Sequence, residues 1–408
     1  MPEPDVGGLE SAAPAPGTAP ARFPCFDGFR AIAALSVLVT HVGFTSGLNG
    51  RSSFGAYTAR MDIGIAVFFL ISGFLLYRPF VAARFAAGPR PAVVPYLWRR
   101  ALRILPAYWV ALTVVIFVLG HGPRDLRSLA LWYGLAHIYS YEHVIGPIVQ
   151  SWTLATEISF YLFLPAYAWF MSRVVGGTSE RRRLHTELIG LAVLYVSAFT
   201  FRSVLLAGDA SPRVNGTLTK WLFANFDLFA LGMLLAVVSV WVSQGEGRRR
   251  APLGVDRSWA PRVCWALAAL GFWVVSTRLG LPRQTIDYEP LGELAQQFLY
   301  GVISLLLLVP GVFGPQDRSL VRAFLRHPVV QVLGLISYGL YLWQNVWVEE
   351  YVDRADARLF ATPFGEMLLA VLVLSIAAAA ISYVAIERPV LQLKRWGPFA
   401  NRRTRATT

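Results

Sequence analysis

The stretch DGFRAIAALSVLVTHVGFTSG, residues 27–47, decides what kind of fold this chain adopts. At a rise of 1.5 Å per residue, a helix of this length spans about 30 Å, which is the thickness of the hydrocarbon core of a bilayer. Asp27, Arg30 and His41 are its only ionisable side chains. The stretch therefore predicts a membrane-spanning helix.

Comparable apolar stretches recur along the whole chain. Counted together they give ten predicted spans, at residues 27–47, 61–81, 104–120, 152–172, 187–207, 220–242, 262–279, 292–313, 329–349 and 366–386. An even number of crossings returns the chain to the side on which it began. We predict an all-α fold, a polytopic transmembrane helix bundle of about ten spans with both termini on one side.

The composition agrees with a membrane protein. Of 408 residues, 55% are hydrophobic and 15% are charged, and the mean hydropathy is +0.50. These values make an ordinary soluble enzyme the minority interpretation. Cys25 and Cys264 are the only cysteines and match no metal-ligand spacing, so we expect neither a disulfide framework nor a bound metal.

The basic residues are concentrated in alternate loops. The segments that hold 23 of the 37 Lys and Arg residues are 82–103, 173–186, 243–262, 314–328 and the tail from 387. This asymmetry predicts that these loops and both termini are cytoplasmic, in a multi-pass protein of the cell (cytoplasmic) membrane. It also accounts for the net charge of +13 without a nucleic-acid partner.

Three regions are predicted along the chain. Residues 1–22 are rich in Pro, Ala and Gly and lack an apolar run, so we expect a disordered tail and no cleaved signal peptide. Residues 23–390 would form the membrane domain, and residues 391–408 a basic cytoplasmic tail. The apolar stretch at 121–151 is too short to cross, and it predicts an interfacial or re-entrant helix on the outer side.

Ionisable side chains within spans suggest functions, because each costs roughly 2.5 kcal/mol or more on insertion scales. Arg30 lies near the cytoplasmic start of the first span, where its long side chain could alternatively reach the interface without a special role. His41 lies eleven residues later, about 16 Å further along the helix. An imidazole exchanges protons near neutral pH, although a neutral histidine bonded to a neighbouring helix is the alternative.

Carboxylates are expected at a similar depth to His41. Glu157 lies within SWTLATEISFYLFLP at 151–165, in a span predicted to enter the bilayer from the outer side. A bond from Glu157 to His41 would orient the imidazole and raise its basicity. A lone interfacial glutamate is the alternative. Asp227 and Arg202, also near the outer ends of their spans, could pair as structural ions, and both rank below His41 and Glu157 as candidates.

Arginines precede the third span in YLWRRALRILPAYW, residues 96–109. Arg100 and Arg103 are one helical turn apart and would share a face. Two guanidinium groups on one face suit the bidentate capture of phosphate. Ordinary anchoring by positive charge in the cytoplasm explains the same residues equally well.

Together these segments resemble the acyltransferase 3 family of integral membrane acyltransferases, from about Phe26 to Pro389. Arg30 and His41 match the family's arginine, ten intervening residues and histidine, and Glu157 matches the glutamate of its W-S/T-L-x-x-E segment. Arg100 and Arg103 match its RxxR pair. Further similar motifs are GIAVFFLISGFLLYRP at 64–79, LISYGLYLWQ at 335–344 and IERP at 386–389.

The resemblance implies transfer of an acyl group to a hydroxyl of a carbohydrate, cell-envelope or secondary-metabolite acceptor. The donor would be a cytoplasmic acyl-CoA, usually acetyl-CoA, used as a substrate with no bound cofactor. His41 would be the catalytic base or a transient acyl carrier, oriented by Glu157. Arg30, Arg100 and Arg103 would bind the donor's phosphates. The resemblance predicts neither the acceptor, the acyl length nor the oligomeric state.

The chain also departs from the family pattern. Ala66 replaces the aspartate that often precedes the second-span motif, and Asp62, one turn earlier, is a possible substitute. Gln344 stands where the closing motif often has histidine. A soluble esterase-like domain found in some relatives is not expected after Pro389, which would leave acceptor choice to the membrane domain or a partner.

Two other classes of function compete with an acyltransferase. A secondary transporter or lipid-linked-sugar flippase would use the intramembrane charges as gates or ion sites, although no internal repeat is visible. A non-catalytic scaffold would tolerate substitution of His41.

Overall fold

The computed structural model describes residues 23–175, 179–208, 211–244, 259–284, 289–314, 319–354 and 358–393. Every regular element in these ranges is a helix, which confirms the predicted all-α class. The predicted disordered tail at 1–22 lies outside the described residues, as does most of the predicted basic tail at 391–408. Both tails stay predictions.

Ten long helices form the described bundle. They are α1 Cys25–Ser46, α2 Gly64–Phe85, α3 Val93–Thr113, α4 Ser151–Val174, α5 Glu180–Ala207, α6 Phe226–Gln244, α7 Ala260–Thr277, α8 Pro290–Val312, α9 Ser337–Arg354 and α10 Phe364–Ser382. Two of them continue into π-helical turns, α3 through Val114–Val118 and α10 through Tyr383–Glu387.

Shorter helices connect the long ones. The α-helical pieces are Leu48–Arg51, Gly55–Thr58, Leu126–Tyr133, Pro212–Leu218, Leu320–Leu325, Pro328–Leu335 and Arg388–Gln392, and the 3-10 turns are Met61–Ile63, His137–Tyr139 and Leu222–Asn225. The helix Leu126–Tyr133 begins where Asp125 accepts a hydrogen bond from the Ser128 amide. A short helix within 121–151 is therefore confirmed, while its position at a membrane interface stays a prediction.

Eight of the described helices are long and apolar enough to cross a membrane. The predicted span 152–172 corresponds to α4, and the span 329–349 corresponds to Pro328–Leu335 and α9, which are interrupted at Ile336. Neither region is among the eight, because both carry many polar and aromatic side chains. The count of ten spans and the orientation of the termini stay predictions.

Close packing of α2, α4 and α6 forms the centre of the bundle. Rings of Phe69, Phe160 and Phe229 stack, with centroids 4.6 Å apart for Phe69 and Phe229 and 4.1 Å apart for Phe160 and Phe229. A Cβ atom on Gly232 would clash with the Leu70 carbonyl, so only glycine permits this approach of α6 to α2. These contacts hold α2 and α4 in place around the site described below.

The N-terminal end of α1 lies beside the C-terminal half of α2, because Phe23 packs against Phe74 and against the guanidinium group of Arg78. The N-terminus of α1 and the loop 86–92 between α2 and α3 therefore lie at one end, which we call the basic end. It carries Arg84, Arg90, Arg99 and Arg100. The ends of α1 and α3 that follow His41 and Thr113 lie at the opposite end.

Candidate active site

A cavity of about 90 Å³ lies between α1, α2, α3, α4 and α9, and we call it the arginine cavity. Such a volume holds several water-sized groups. Its polar and aromatic lining consists of Arg30, Phe68, Phe69, Ser72, Arg100, Arg103, Thr153, Glu157, Tyr161, Ser337, Tyr338 and Tyr341. Four of the predicted site residues, three arginines and Glu157, are thus brought to one place.

The three arginines reach the cavity from two helices. Arg100 and Arg103 are one turn apart on α3, as their spacing predicted, and both are partly buried, whereas Arg99 is exposed. Neither makes a hydrogen bond or ion pair with a residue that the structure describes, and Arg100 Nε is buried without a partner. Unpaired guanidinium groups in a partly buried cavity favour an anionic ligand.

Arg30 enters the same cavity from α1 and is held in place within its own helix. Its Nη1 donates to Asp27 Oδ1 at 2.7 Å, one turn earlier. Asp27 is half exposed, so this ion pair contributes little to stability and mainly orients the guanidinium. Asp27 was missed as a site residue, although its spacing of three from Arg30 on a predicted helix could have indicated it.

Glu157 projects from α4 into the arginine cavity, where Ser72 of α2 donates a hydrogen bond to Glu157 Oε1. Tyr161, one turn further along α4, also interacts with the carboxylate. No ion pair within 4 Å joins Glu157 to an arginine of the cavity in the described part of the chain. Ser72 was missed because a single serine in an apolar run has no periodic signal.

His41 lies on the same face of α1 as Arg30, because eleven residues are close to three helical turns. Between them, Ala34 and Val37 pack with Ile65, Phe68 and Tyr341, three residues that also line the arginine cavity. His41 is partly buried, and its Nδ1 is buried without a hydrogen-bond partner among the described residues.

The expected bond between His41 and Glu157 is not present. Glu157 is bonded to Ser72 instead, which keeps its carboxylate at the level of the arginines. Sequence reasoning placed both residues in one half of the bilayer but could not give their directions around the helix axes. Glu157 thus lies beside the arginines, whereas His41 lies about three turns further along α1 from Arg30.

Gln344 is a further polar group in this region. It is fully buried on α9, which packs against α1, and both Oε1 and Nε2 lack a partner among the described residues. Buried polar groups are usually hydrogen-bonded, so an amide without partners invites a functional explanation.

The two acids considered as supporting residues lie elsewhere. Asp62 lines a second cavity of about 260 Å³, which we call the Asp62 cavity, and Ala66 lines it one turn later. Tyr300 donates a hydrogen bond to Asp62. Asp227 accepts two hydrogen bonds from Gln297, at 2.8 and 3.1 Å.

No ion pair within 4 Å joins Arg202 to Asp227 in the described part of the chain, although their charges interact. Arg202 Nε donates to the Ala224 carbonyl at 2.7 Å, and the same guanidinium reaches Asn225 Oδ1 at 3.3 Å. The chain around the 3-10 turn Leu222–Asn225 supplies these acceptors, and such local backbone geometry is not readable from residue depth alone.

Sequence comparisons with known proteins cover most of the chain. Residues 23–387 match the sequence profile of a family described as an acyltransferase domain. The chain is 27% identical over 385 residues to YrhL of Bacillus subtilis, provisionally named a peptidoglycan O-acetyltransferase, with 90% of this chain and 54% of the relative covered. It is 24% identical over 392 residues to the O-acetyltransferase OatA of Staphylococcus aureus, with 91% and 57% covered.

A third relative is the peptidoglycan O-acetyltransferase OatA of Listeria monocytogenes, which is 26% identical over 340 residues, with 78% of this chain and 48% of the relative covered. The chain thus spans about half the length of the curated relatives it matches. No solved structure matches it significantly.

Proposed function

The chain belongs to the acyltransferase 3 family, and we propose that it is an O-acyltransferase of the cell membrane. It would move an acyl group, in the first instance acetyl, from an acyl-CoA to a hydroxyl of a cell-envelope carbohydrate. The names of the relatives support this choice, since two of them specify peptidoglycan and all three O-acetyl transfer. Many apolar helices support a multi-pass arrangement.

The observation that carries the proposal is the meeting of Arg30, Arg100 and Arg103 in one cavity. Three guanidinium groups line the cavity with a single carboxylate, Glu157, and Asp27 pairs with Arg30 from outside the lining, so a net positive charge remains. Phosphate oxygens are the ligands that arginine forks bind most specifically. Coenzyme A carries three phosphate groups at one end and the acyl thioester at the other, so it suits a basic entrance followed by an apolar path.

The same donor requires a particular orientation. Acyl-CoA is made in the cytoplasm, so the basic end would face the cytoplasm, in agreement with the loop charges. In this arrangement all ten long helices cross the bilayer, and both termini are cytoplasmic. His41 then lies nearer the outer surface than the arginines, about 16 Å along α1 from Arg30.

His41 would act at the reacting thioester. The pantetheine arm would extend from the arginines along α1, past Phe68 and Tyr341, towards the imidazole. His41 takes the proton of the acceptor hydroxyl while the hydroxyl oxygen attacks the thioester carbonyl. The carbon–sulfur bond breaks, the ester forms, and the imidazolium returns the proton to the leaving thiolate. A variant in which His41 carries the acyl group transiently uses the same residues.

Glu157 would act beside the donor, not on the imidazole. Ser72 and Tyr161 hold its carboxylate in the arginine cavity, and its charge interacts with Arg30. An anion among three guanidinium groups orders them and limits how strongly the product, free coenzyme A, is retained. Asp62 and Asp227 lie outside this cavity and have no step in the transfer.

The test is transfer by the purified full chain in lipid nanodiscs. We supply acetyl-CoA with a labelled acetyl group and soluble peptidoglycan strands from which mild base has removed O-acetyl esters. The expected result is release of free thiol together with label in the glycan, neither of which occurs in empty nanodiscs. Folded protein that releases no thiol, or solute flux in proteoliposomes without thioester cleavage, would contradict the proposal and favour a transporter.

A further inference from the structure

The Asp62 cavity lies at the opposite end of the bundle from the basic end and has a different chemistry from the arginine cavity. Its volume of about 260 Å³ is nearly three times that of the arginine cavity, about 90 Å³. It is lined from α2, α4, α5, α6 and α8 and from the segment that precedes α6. No step of the proposed transfer uses its residues, although several are ionisable.

The lining combines two cations, two carboxylates, amides and aromatic rings. Arg202 and Lys220 stand against Asp62 and Glu293, so the charges balance, in contrast to the excess of arginine around the donor. Trp152 forms part of the wall, with Lys220 Nζ 5.6 Å from its ring centroid. Balanced hydrogen-bonding groups beside an indole suit a polyhydroxylated, uncharged ring better than a phosphate or an acyl chain.

Most polar groups of this lining are already bonded to the protein, and Glu293 is the exception. Asp62 is bonded to Tyr300, and Gln296 accepts a hydrogen bond from Arg60 at 3.0 Å. Lys220 donates to the Gly216 carbonyl. Glu293 is partly buried on α8 and makes no hydrogen bond or ion pair with any residue in the described ranges. The charge of Glu293 interacts with those of Arg202 and Lys220, but its oxygens accept no hydrogen bond from the described residues, which favours a ligand with hydroxyl donors.

The two cavities adjoin each other. Ile65 lines both of them, and the neighbouring residues Trp152 and Thr153 line one cavity each. Ile65 also packs against the cluster that contains Val37, one turn before His41 on α1. A ring held in the Asp62 cavity therefore lies across a single layer of side chains from the proposed donor path and close to the level of His41.

We infer that the Asp62 cavity is the binding site for the sugar ring that carries the acceptor hydroxyl, with Glu293 and Trp152 as its ligand-binding residues. The inference rests on the proposed function and extends it, because it names where the acceptor binds and which residues select it. Glu293 accepts hydrogen bonds from sugar hydroxyls, and Trp152 packs against the face of the ring. Acceptor and donor then approach His41 from opposite ends of the bundle.

The test compares Glu293→Ala and Trp152→Ala with the matched control Glu289→Ala, in which an exposed glutamate one turn earlier is replaced. Each variant in nanodiscs receives labelled acetyl-CoA and soluble de-O-acetylated peptidoglycan strands. We measure the KM for glycan, the KM for acetyl-CoA and the slow thioester hydrolysis by water without glycan. Thermal unfolding checks that each variant is folded.

Loss of either ligand-binding residue should raise the KM for glycan about tenfold or more, while the KM for acetyl-CoA and the hydrolysis rate stay within about twofold of wild type. Glu293→Gln keeps an acceptor oxygen, so its KM for glycan should rise less than that of Glu293→Ala. Glu289→Ala should leave the KM for glycan unchanged. An unchanged glycan KM in Glu293→Ala and Trp152→Ala would overturn the inference. Failure of the wild type to cleave acetyl-CoA would instead count against the proposed function.

Discussion

Ser72 of α2 donates a hydrogen bond to the carboxylate of Glu157 on α4, across the arginine cavity. The bond holds the glutamate among the three arginines and away from the imidazole of His41. Glu157 and the three arginines therefore lie at one depth in the bundle, and His41 lies at another.

Removing the negative charge of Glu157 should impair transfer without unfolding the protein. Glutamine keeps an oxygen that can accept the Ser72 bond, so Glu157→Gln changes charge more than shape. Because the guanidinium groups would then retain free coenzyme A more strongly and slow its release, we expect kcat for acetyl transfer to fall at least about tenfold. Ser72→Ala, which leaves the carboxylate but releases it, should lower kcat by a smaller factor. A Glu157→Gln enzyme as active as wild type would remove Glu157 from the site.

Arg100 should bind the donor, whereas its neighbour Arg99 should not. Arg100 lines the arginine cavity and Arg99 is exposed on the same helix, so the pair provides its own control. A charge-assisted hydrogen bond to phosphate contributes about 1.5–3 kcal/mol, so Arg100→Ala should raise the KM for acetyl-CoA about 10- to 100-fold. Arg99→Ala should leave it unchanged. Equal effects of the two substitutions would indicate general membrane anchoring instead of donor binding.

A buried ion pair near the basic end should contribute to stability. Glu187 is fully buried and accepts hydrogen bonds from Tyr77 at 2.6 Å and from Arg84 at 2.7 Å. Glu187→Ala leaves Arg84 without its counter-charge, and it should destabilise the protein by about 3–5 kcal/mol. Thermal unfolding in detergent measures the effect. Glu366→Ala, at an exposed glutamate of α10, is the control and should leave the midpoint unchanged.

His137 should make stability depend on pH. It is fully buried beside Ser151, and burial together with the nearby His143 lowers the pKa of His137 from 6.5 to about 4. Below about pH 6.5 the unfolded chain binds a proton at His137, whereas the folded chain binds it only below about pH 4. Stability therefore falls as the pH drops through this window.

The loss amounts to about 3 kcal/mol between pH 7 and pH 4. A His137→Gln variant cannot take up this proton, so its unfolding midpoint should decline less over the same range. Parallel pH profiles of the wild type and His137→Gln would contradict the prediction, because they would show that folding does not change the pKa of His137.

Some parts of the site followed directly from the sequence. The spacing of Arg100 and Arg103 placed both side chains on one face of a helix, and the structure has them there. The span boundaries predicted the long helices because apolar length is a local property. The break at Ile336, within the predicted span 329–349, was not foreseen, since a helix can be interrupted without any loss of apolar character.

Other parts depend on how helices rotate against one another. Depth along a span separated the arginines from His41, but it placed Glu157 at the level of His41, whereas the packing of α2 against α4 directs Glu157 towards Ser72 and the arginines. The same limit applies to Asp227, whose oxygens accept hydrogen bonds from Gln297 of α8. Glu293 was not singled out because it lies at the start of α8, where an acidic residue is ordinary.

The most direct test of the role of His41 is the transfer rate of His41→Ala. This rate is measured with labelled acetyl-CoA and de-O-acetylated glycan in nanodiscs. His185→Ala, at an exposed histidine of α5, is the matched control. We predict that His41→Ala lowers transfer at least about 100-fold while acetyl-CoA binding and thermal unfolding are unchanged. A transfer rate for His41→Ala equal to that of wild type and His185→Ala would contradict the assignment of His41 as the reacting base.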